Sequence, residues 1–385
     1  MMTTADDAVP NARHAQIALA MADRSAYLQI LDSIHDGTQE RDMDQWTLTG
    51  ALTMHPLGKT DMKITRVGFG AWAIGGGGWS FAWGDQDDSE SIAAIRRAVS
   101  RGVNWIDTAA IYGLGHSEEI VAAALKDIPL VDRPHVFTKC GLIWDERDRT
   151  APAKRVGDPA SIRREVDASL KRLQVERIDL YQMHWPAEDG TPVEVYWQAL
   201  LDLKREGKVR AVGLSNHSAD QLRRAEALGH VDTLQPPFSA IHREVAAAEL
   251  PWCKDNGTGV IVYSPMQSGL LTGAFTAERA AKLTSGDWRS RNADFSGDGL
   301  KRNLQLAEAL KPIAKEHDTT VAAVAVAWTL AWPGVTAAIV GARNAEQVDG
   351  WIDAGTLELT DADLAMIANA IEKSGAGEGP AMPVS

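Results

Sequence analysis

Short β-branched apolar runs alternate with amphipathic stretches along most of this chain. Such an alternation is typical of βα units that build a parallel sheet. Eight units are recognised between about residue 66 and residue 353. The predicted strands are Arg66–Phe69, Asn104–Asp107, His135–Lys139, Ile178–Met183, Val209–Ser215, Thr233–Gln235, Gly259–Tyr263 and Thr336–Val340.

Helices are predicted between these strands, with start signals such as Asp158 before Pro159 and Ser218 before Asp220. Their ranges are 88–101, 117–126, 159–173, 192–206, 218–228, 244–255, 300–316 and 344–353. Two segments fall outside the repeat, an apolar helix at 319–331 and a closing helix at 360–373. Before the first unit, residues 54–65 show a strand, a turn at Gly58 and a second strand, which predicts a β-hairpin.

Polar residues stand where the apolar runs end. They are Asp107, Lys139, His184, Ser215 with Asn216, Gln235, Tyr263 and Arg343. In a closed barrel of βα units, the strand ends meet at one rim, where such side chains form an active site. The predicted fold is therefore α/β, a single (β/α)8 TIM barrel with an N-terminal β-hairpin and extra helices after strand seven and at the C-terminus.

The two ends of the chain differ from the repeat. Residues 1–53 form an acidic leader that is predicted to be poorly ordered or to form short helices, and residues 54–373 form the barrel. The apolar run at 17–22 follows Asp6 and Asp7 and is too short to span a membrane. Residues 374–385 are rich in Gly and Pro, which predicts a flexible tail.

Composition narrows the class of partner. The formal net charge is −13, which disfavours nucleic acid and anionic membranes and favours a small-molecule partner. Cys140 and Cys253 lack metal-ligand spacing and are too few for a disulfide framework, so we expect no metal and a cytoplasmic location. No coiled-coil pattern is present, and the oligomeric state is left open.

One glycine motif imitates a dinucleotide fingerprint. Gly68, Gly70 and Ala73 fit the spacing GxGxxG/A after a strand. That motif must open directly into a helix, whose N-terminus receives a pyrophosphate. Here Gly75–Gly78 and an aromatic segment follow, so we reject a Rossmann domain and predict a rim loop over a pocket.

Four residues carry the candidate chemistry: Asp107, Tyr112, Lys139 and His184. Individually each has an ordinary explanation, since a strand-end Asp caps loops, a Tyr packs and a Lys is solvated. Together they are more informative, because an apolar strand that ends inward on Lys139 needs a carboxylate such as Asp107 to compensate the charge.

With these residues in their local motifs WIDTAAIYG, VFTKCG and LYQMHWP, the sequence resembles the aldo-keto reductase family from about residue 54 to about residue 370. The resemblance assigns the catalytic tetrad to Asp107, Tyr112, Lys139 and His184, with no position substituted. It also implies a barrel that binds extended NADPH across the strand ends.

The chemistry of carbonyl reduction explains such a tetrad. Negative charge develops on oxygen as hydride reaches carbon, so a proton donor and a positive field must be placed there. Tyr112 would be the donor, and the Lys139 ammonium would lower its pKa. Asp107 would hold Lys139 charged and oriented, and His184 would orient the substrate oxygen.

The resemblance also implies a path for the cofactor. Ser215, Asn216 and Gln235 would hold the nicotinamide carboxamide, and Tyr263 would stack on the ring. The pyrophosphate loop would include Ser264, Pro265, Gly269 and Leu270. After the last strand, Gly341 and Gln347 flank a predicted helix start, and Arg343 would bind the 2′-phosphate and select NADPH. A solvent-facing Arg343 is the plainer alternative. A departure from the family is Trp351, which stands where Asn is usual.

The candidate substrate wall is aromatic and consists of Trp79, Phe81, Trp83, Trp144 and Trp185. It suits an apolar aldehyde or the face of a sugar equally well. Residues 287–297 are predicted to form a lid, in which Arg289 or Arg291 contacts phosphate, or a solvated loop.

The leading hypothesis is an NADPH-dependent reductase of aldehydes, ketones or sugar carbonyls. One alternative is an NAD(P)-dependent aldose or polyol dehydrogenase that works in the oxidative direction. Another is a nicotinamide-sensing binding subunit, because potassium-channel β-subunits share this barrel. Turnover separates an enzyme from a sensor, because a sensor would bind the cofactor tightly but reduce carbonyls slowly.

Overall fold

The computed structural model describes residues 52–383, so the leader predicted for residues 1–53 lies almost wholly outside the described part. Eight parallel strands close into a barrel, in which β8 pairs with β1 through Ile339 and Gly68. The barrel strands are β1 (Val67–Gly70), β2 (Trp105–Asp107), β3 (His135–Cys140), β4 (Ile178–Met183), β5 (Val209–Ser215), β6 (Thr233–Gln235), β7 (Gly259–Val262) and β8 (Ala337–Gly341). The predicted TIM barrel is confirmed.

Helices surround the barrel. They are α1 (Asp88–Ser100), α2 (His116–Leu125), α3 (Pro159–Leu173), α4 (Val193–Arg205), α5 (Ala219–Glu226), α6 (Glu249–Asn256), α7 (Ala277–Ala281), α8 (Gly297–Ala309), α9 (Lys311–Glu316), α10 (Val321–Leu330), α11 (Ala345–Asp349) and α12 (Asp361–Ser374). In the part of the chain that is described, no helix is both long and apolar enough to cross a bilayer.

The predicted strands β4, β5 and β6 match the structure at both ends, and the other strands differ by one residue at one end or both. Two predicted helices are divided near a proline, and the helix predicted at 344–353 is divided into α11 and a 3-10 turn at Ile352–Gly355. A 3-10 turn at Glu244–Ala246 precedes α6, and α8 ends before α9 begins at Lys311. Pro251 and Pro312 explain both breaks, because proline has no N–H to donate to the carbonyl four residues earlier.

The N-terminal hairpin closes the bottom of the barrel. Met54–Pro56 pairs antiparallel with Lys63–Thr65, and Gly58 adopts a φ of +55° in the turn. Apolar side chains of this hairpin pack against the inward-facing residues of the strands, and both sets are buried: Leu57, Met62, Ile64, Trp105, Phe137, Leu180, Ala211, Ile261, Ala337 and Ile339. The interior is a packed core, as expected for this barrel.

The glycines of β1 serve packing. A Cβ on Gly68 would lie 2.1 Å from the indole ring of Trp105, so the barrel interior has room for that ring only beside glycine. After β1 the chain forms no helix until Asp88. The rejection of a dinucleotide-binding helix here is therefore confirmed.

The apolar segment predicted at 319–331 is α10, and all ten of its residues are buried. A helix that is apolar on every face must be covered on every face. Its Trp328 stacks on Phe238, with ring centroids 5.4 Å apart, and Trp332 packs edge-on against the same ring. Both cysteines are also buried, as expected for side chains that pack as small apolar groups.

The C-terminal segment, which its composition predicts to be loose, makes specific contacts. Buried Arg243 donates hydrogen bonds to the carbonyls of Ala376 and Gly379, and Ala376 is itself buried. A Cβ on Gly377 would lie 1.6 Å from the carbonyl oxygen of Ile241. Glycine at this position therefore allows close backbone approach, and the segment packs on the barrel at least through Gly379.

Candidate active site

The four tetrad residues meet at the carboxyl end of the barrel. Asp107 ends β2, Lys139 lies next to the end of β3, and His184 directly follows β4. All three are at least 90% buried. Tyr112 lies in the loop after β2 and is partly buried, with its hydroxyl oxygen 3.5 Å from Lys139 Nζ. The structure thus brings together the residues that the sequence predicted.

The loop that carries Tyr112 is fixed by backbone packing. The Tyr112 N–H donates to the carbonyl of Ala109 at 3.0 Å. The next residue, Gly113, has a φ of +65°, and a Cβ there would lie 2.0 Å from the Gly75 carbonyl oxygen. Only glycine fits this approach, so the loops after β1 and β2 are locked together beside Tyr112.

Lys139 and Asp107 form a buried ion pair. Lys139 Nζ lies 2.5 Å from Asp107 Oδ2 and also donates to the Thr108 carbonyl at 2.9 Å. Gln235 Nε2 donates to Asp107 Oδ1 at 2.8 Å, so both carboxylate oxygens are bonded. Burial lowers the pKa of Lys139 and raises that of Asp107, while the attraction between them opposes both shifts. These contacts favour the charged form of both groups, against the effect of burial.

The lowered pKa expected for Tyr112 is not found in this structure, because burial has the larger effect. Burial of the phenol raises its pKa well above the ordinary value of 10, and the carboxylate of Asp107 raises it further. Tyr112 therefore stays protonated at neutral pH, as a proton donor must be.

His184 is neutral. Burial lowers its pKa well below 6.5, and the charges of Lys139 and Arg155 lower it further. Its ring packs edge-on against Tyr112, with centroids 5.7 Å apart, and its backbone N–H donates to the Cys140 carbonyl at 3.0 Å. A neutral imidazole keeps one N–H donor, which can bond a substrate oxygen beside the Tyr112 hydroxyl.

Two carboxylates on the outer helices hold the end of β3. Glu118 accepts a hydrogen bond from Thr138 Oγ1 at 2.7 Å and pairs with Arg172 at 2.6 Å. Glu165 accepts the Gly141 N–H at 2.8 Å. Lys139 lies between these two attachment points, so its backbone is fixed on both sides.

A long cavity of about 780 Å³ opens at this rim. Its lining includes Asp107, Tyr112 and His184, whereas Lys139 lies behind them. Most predicted cofactor residues also line it: Asn216, Gln235, Tyr263, Ser264, Pro265, Gly269, Gly341, Arg343 and Gln347. All five predicted aromatic wall residues do so as well: Trp79, Phe81, Trp83, Trp144 and Trp185.

Two predicted cofactor residues do not line the cavity. Ser215 is fully buried, and its hydroxyl donates to the Gln235 carbonyl at 2.8 Å. Leu270 is fully buried in the hydrophobic core. In this structure Ser215 supports the neighbouring Asn216, and Leu270 anchors its loop through apolar packing.

Asn216 connects several parts of the site. Its backbone has a φ of +64°, and its Nδ2 donates to the His184 carbonyl at 2.9 Å. Its Oδ1 accepts the Tyr263 hydroxyl at 2.7 Å. Next to it, buried His217 bonds the Ser215 carbonyl and the Tyr196 hydroxyl, at 2.7 and 2.8 Å. The amide groups of Asn216 and Gln235 therefore face the cavity from a rigid base.

The loop after β7 has an unusual backbone. Ser264, Gln267, Ser268 and Gly269 all have positive φ values, between +44° and +101°. Gln267 Nε2 donates to Asp294 Oδ2 at 2.8 Å, which fixes the loop against the segment before α8. Left-handed residues at non-glycine positions cluster in ligand-binding loops. Ser264 and Gly269 of this loop line the cavity.

Arg343 is engaged by its own protein. Its Nε donates to Gln86 Oε1 at 2.6 Å, and another guanidinium nitrogen donates to the Asp85 carbonyl. Its backbone N–H donates to Gln347 Oε1 at 2.9 Å. Arg343 nevertheless lines the cavity, together with Arg279 and Arg289. This end is therefore cationic, but Arg343 also ties the loop after β1 to β8.

The rim loops form an aromatic roof. Trp72 stacks on Trp288 and packs against Tyr112, with centroids 5.2 and 6.3 Å away. The segment predicted as a lid contacts the loop after β1, since the backbone N–H of Trp288 donates to the Ala82 carbonyl. Arg291 donates to the Ser80 carbonyl at 2.8 Å, and Arg289 pairs with Asp287 at 2.6 Å.

Sequence reasoning missed several residues of the cavity. Trp72 lies two residues after the end of β1, so its position after a strand end could have revealed it. Trp288, Arg149 and Arg155 lie in short irregular segments between the barrel elements, where no periodic signal places a side chain, and the structure alone brings them to the cavity. Within residues 52–383, no cluster of three or more His, Cys, Asp or Glu side chains has metal-binding geometry.

The chain was compared with known proteins. The model of the aldo/keto reductase family matches residues 66–372. The chain is 37% identical over 332 residues to an NADH-specific methylglyoxal reductase of Escherichia coli, covering 83% of this chain and 99% of that protein. It is 37% identical over 294 residues to an aldo-keto reductase of Bacillus subtilis, covering 76% and 86%. The solved structure of a glycerol dehydrogenase from Gluconobacter oxydans is similar, with a TM-score of 0.76, 34% identity and coverage of 86% and 99%.

Proposed function

Because the chain belongs to the aldo/keto reductase family of oxidoreductases, we propose that it reduces an aldehyde, ketone or sugar carbonyl to the alcohol, with NADPH as reductant and Tyr112 as proton donor. The observation that carries this proposal is the Tyr112, Lys139 and Asp107 series, in which consecutive contacts of 3.5 and 2.5 Å end beside the cavity. A buried ion pair next to a protonated phenol is not needed to stabilise the wall of a cavity. Its presence there indicates a functional site.

The residues present fit the cofactor. Asn216, Gln235 and Tyr263 would hold the nicotinamide end, and the loop Ser264–Gly269 with Arg343 would hold the phosphates. When bound, the reduced nicotinamide supplies the hydride. The cationic side chains at the far end of the cavity support NADPH, while the similarity to an NADH-specific reductase supports NADH as the competing cofactor.

The protein side chains act on the carbonyl oxygen. The Tyr112 hydroxyl would donate its proton to that oxygen as negative charge develops there. The N–H of neutral His184 would donate a second hydrogen bond and set the orientation of the carbonyl. Lys139 would stabilise the phenolate that remains on Tyr112, because its Nζ lies 3.5 Å from the phenol oxygen. Asp107 keeps that ammonium in place.

A second function is supported by one comparison. The similar solved structure is named a glycerol dehydrogenase, so oxidation of a polyol is the competing direction for this chain. In that direction Tyr112 would accept the alcohol proton. The same residues serve both directions, and only the substrate and the cofactor ratio select between them.

An absorbance assay at the nicotinamide band tests the proposal. The wild-type chain is mixed with a panel of aldehydes, ketones, aldoses and polyols, with NADPH or NADH for reduction and the oxidised forms for the reverse reaction. We expect multiple turnovers with at least one carbonyl and faster reduction with NADPH. Faster turnover of polyols than of any carbonyl would favour the dehydrogenase. Tight binding of NADPH without turnover of any substrate would contradict both and favour a sensor.

A further inference from the structure

The wall of the cavity beside Tyr112 and His184 includes a short hairpin after β3. Leu142 pairs with Arg155 and Ile143 with Lys154, and we call residues 142–155 the rim hairpin. It brings Trp144, Arg149 and Arg155 to the cavity. Neither Arg149 nor Arg155 takes part in the proton transfer or in the cofactor contacts described above.

Arg155 is held next to His184. Its guanidinium carbon lies 4.4 Å from the ring centroid of Trp185, the residue that directly follows His184. The positive charge of Arg155 is also one of the causes that lower the pKa of His184. Its Nη1 pairs with Glu188 at 2.6 Å, and its side chain remains 35% exposed. Arg155 therefore lines the cavity with a side chain that is not fully buried.

Arg149 is held next to Tyr112. Its Nη2 donates to the carbonyl of Gly113, the residue after Tyr112, at 3.3 Å. Among residues 52–383, no carboxylate lies within ion-pair distance of Arg149. The two arginines are thus attached to the residues that directly follow Tyr112 and His184, the two side chains that face the carbonyl oxygen.

The local charge contrasts with the charge of the whole chain. The formal net charge is −13, which repels small anions at long range. The carboxylates that line the cavity are Asp107, which Lys139 neutralises, and Glu188, which pairs with Arg155. Arg149 is left without compensation in an otherwise aromatic wall. Such a surface favours an anionic group over a neutral one of the same size.

We propose that Arg149 and Arg155 bind an anionic group, a carboxylate or a phosphate, of a carbonyl substrate whose oxygen lies between Tyr112 and His184. The inference rests on the proposed carbonyl reduction and names its substrate class. Guanidinium groups suit this task because their donors match two oxygens of an anion at once. The cofactor phosphates would be bound by other cations that line the cavity, Arg279, Arg289 and Arg343.

A purely structural role makes a different prediction. If Arg155 only packs on Trp185 and pairs with Glu188, its loss changes stability but not the preference between charged and neutral substrates. The ratio of kcat/KM for an anionic carbonyl to kcat/KM for its neutral analogue separates the two roles. This ratio also cancels any general loss of catalytic power.

The experiment uses two matched substrate pairs with the full chain. One pair is 4-oxobutanoate against butanal, and the other is glyceraldehyde 3-phosphate against glyceraldehyde. The wild type is expected to prefer the anionic member of at least one pair, which also identifies carboxylate or phosphate as the favoured group. Arg149→Gln and Arg155→Gln should each lower that ratio by about ten-fold or more, because hydrogen bonds between charged groups are lost.

Two further variants act as controls. Arg147→Gln makes the same charge change on the same rim hairpin, but Arg147 does not line the cavity, so the ratio should stay at the wild-type value. Glu188→Gln removes the competing carboxylate of Arg155 and should raise the ratio. An increase in one variant and a decrease in two others is not expected from a loss of folding.

A wild-type ratio near one for both pairs, or a ratio unchanged in Arg149→Gln and Arg155→Gln, would overturn the inference while carbonyl reduction stands. If no carbonyl is turned over, the proposed function fails, and the arginine site is tested by binding alone. Butanedioate should then quench the fluorescence of the tryptophans that line the cavity in the wild type and bind about ten-fold more weakly to Arg155→Gln. Equal binding would refute the site.

Discussion

The two ends of the cavity are built in different ways. At the tetrad end, Asp107 and Lys139 project from barrel strands and are almost completely buried. At the far end, Arg343 follows β8 and bonds Gln86 and Asp85 of a neighbouring loop. The first set is fixed by the barrel itself, and the second depends on which loop lies beside it. Position at a strand end therefore places the tetrad side chains, whereas the position of the Arg343 side chain depends on contacts between loops.

Removal of the Tyr112 hydroxyl is the most severe test of the tetrad end. Tyr112→Phe removes the proton donor and keeps the ring that packs against Trp72 and His184. We expect kcat for carbonyl reduction to fall by roughly 10²–10⁴-fold, the contribution of a general acid. Titration of the bound cofactor by fluorescence should give nearly the wild-type dissociation constant. Unchanged turnover would reject Tyr112 as the acid.

Loss of the buried ion pair should affect folding as well as catalysis. Asp107→Asn leaves the Lys139 ammonium buried without its counterion, so we expect the free energy of unfolding to fall by about 3 kcal/mol. Urea unfolding measures the change. As a control, Asp127→Asn removes an exposed pair with Arg96 and should cost less than about 1 kcal/mol. Equal losses in the two variants would show that burial does not distinguish these pairs.

The support behind β3 predicts a dependence of stability on pH. Burial raises the pKa of Glu165 from 4.5 to about 7, so the folded state binds the proton more tightly than the unfolded state. The contribution of this group to stability is therefore lost as the pH rises from about 4.5 to about 7. Glu165→Gln does not titrate and keeps an acceptor for the Gly141 N–H.

We expect the stability of Glu165→Gln relative to the wild type to increase by about 2 kcal/mol between pH 5 and pH 8. Urea unfolding at both pH values checks this. Glu372→Gln, at an exposed position on α12, should show no such change. If the difference between Glu165→Gln and the wild type is the same at both pH values, Glu165 does not titrate in this range.

The smallest effect is expected at the far end of the cavity. Arg343→Ala should raise the dissociation constant for NADPH by about ten-fold and leave that for NADH nearly unchanged, if the guanidinium binds a 2′-phosphate. Gln86→Ala breaks the same contact between loops without removing a charge, so it should affect both cofactors alike. If Arg343→Ala weakens both cofactors equally, Arg343 holds the loop and does not select the cofactor.

Much of the architecture was predictable because the barrel repeats one local pattern. β4, β5 and β6 match their predicted limits, since alternating apolar runs with clear polar ends define strands directly. Ser215 and Leu270 were assigned to the cofactor by resemblance, yet both are buried away from the cavity. Sequence position places a residue near a site but does not tell which way its side chain points.

The sequence by itself determined the barrel and the rejection of the glycine motif, because these depend on periodicity and strand ends, which are local properties. The four tetrad positions were assigned by the resemblance to a family. The tertiary structure alone decided the electrostatic state of Tyr112, whose pKa rises through burial and Asp107. It also brought Arg149 and Arg155 beside Tyr112 and His184. These features depend on distances between segments far apart in the chain, and such distances are fixed only when the barrel closes and its loops pack together.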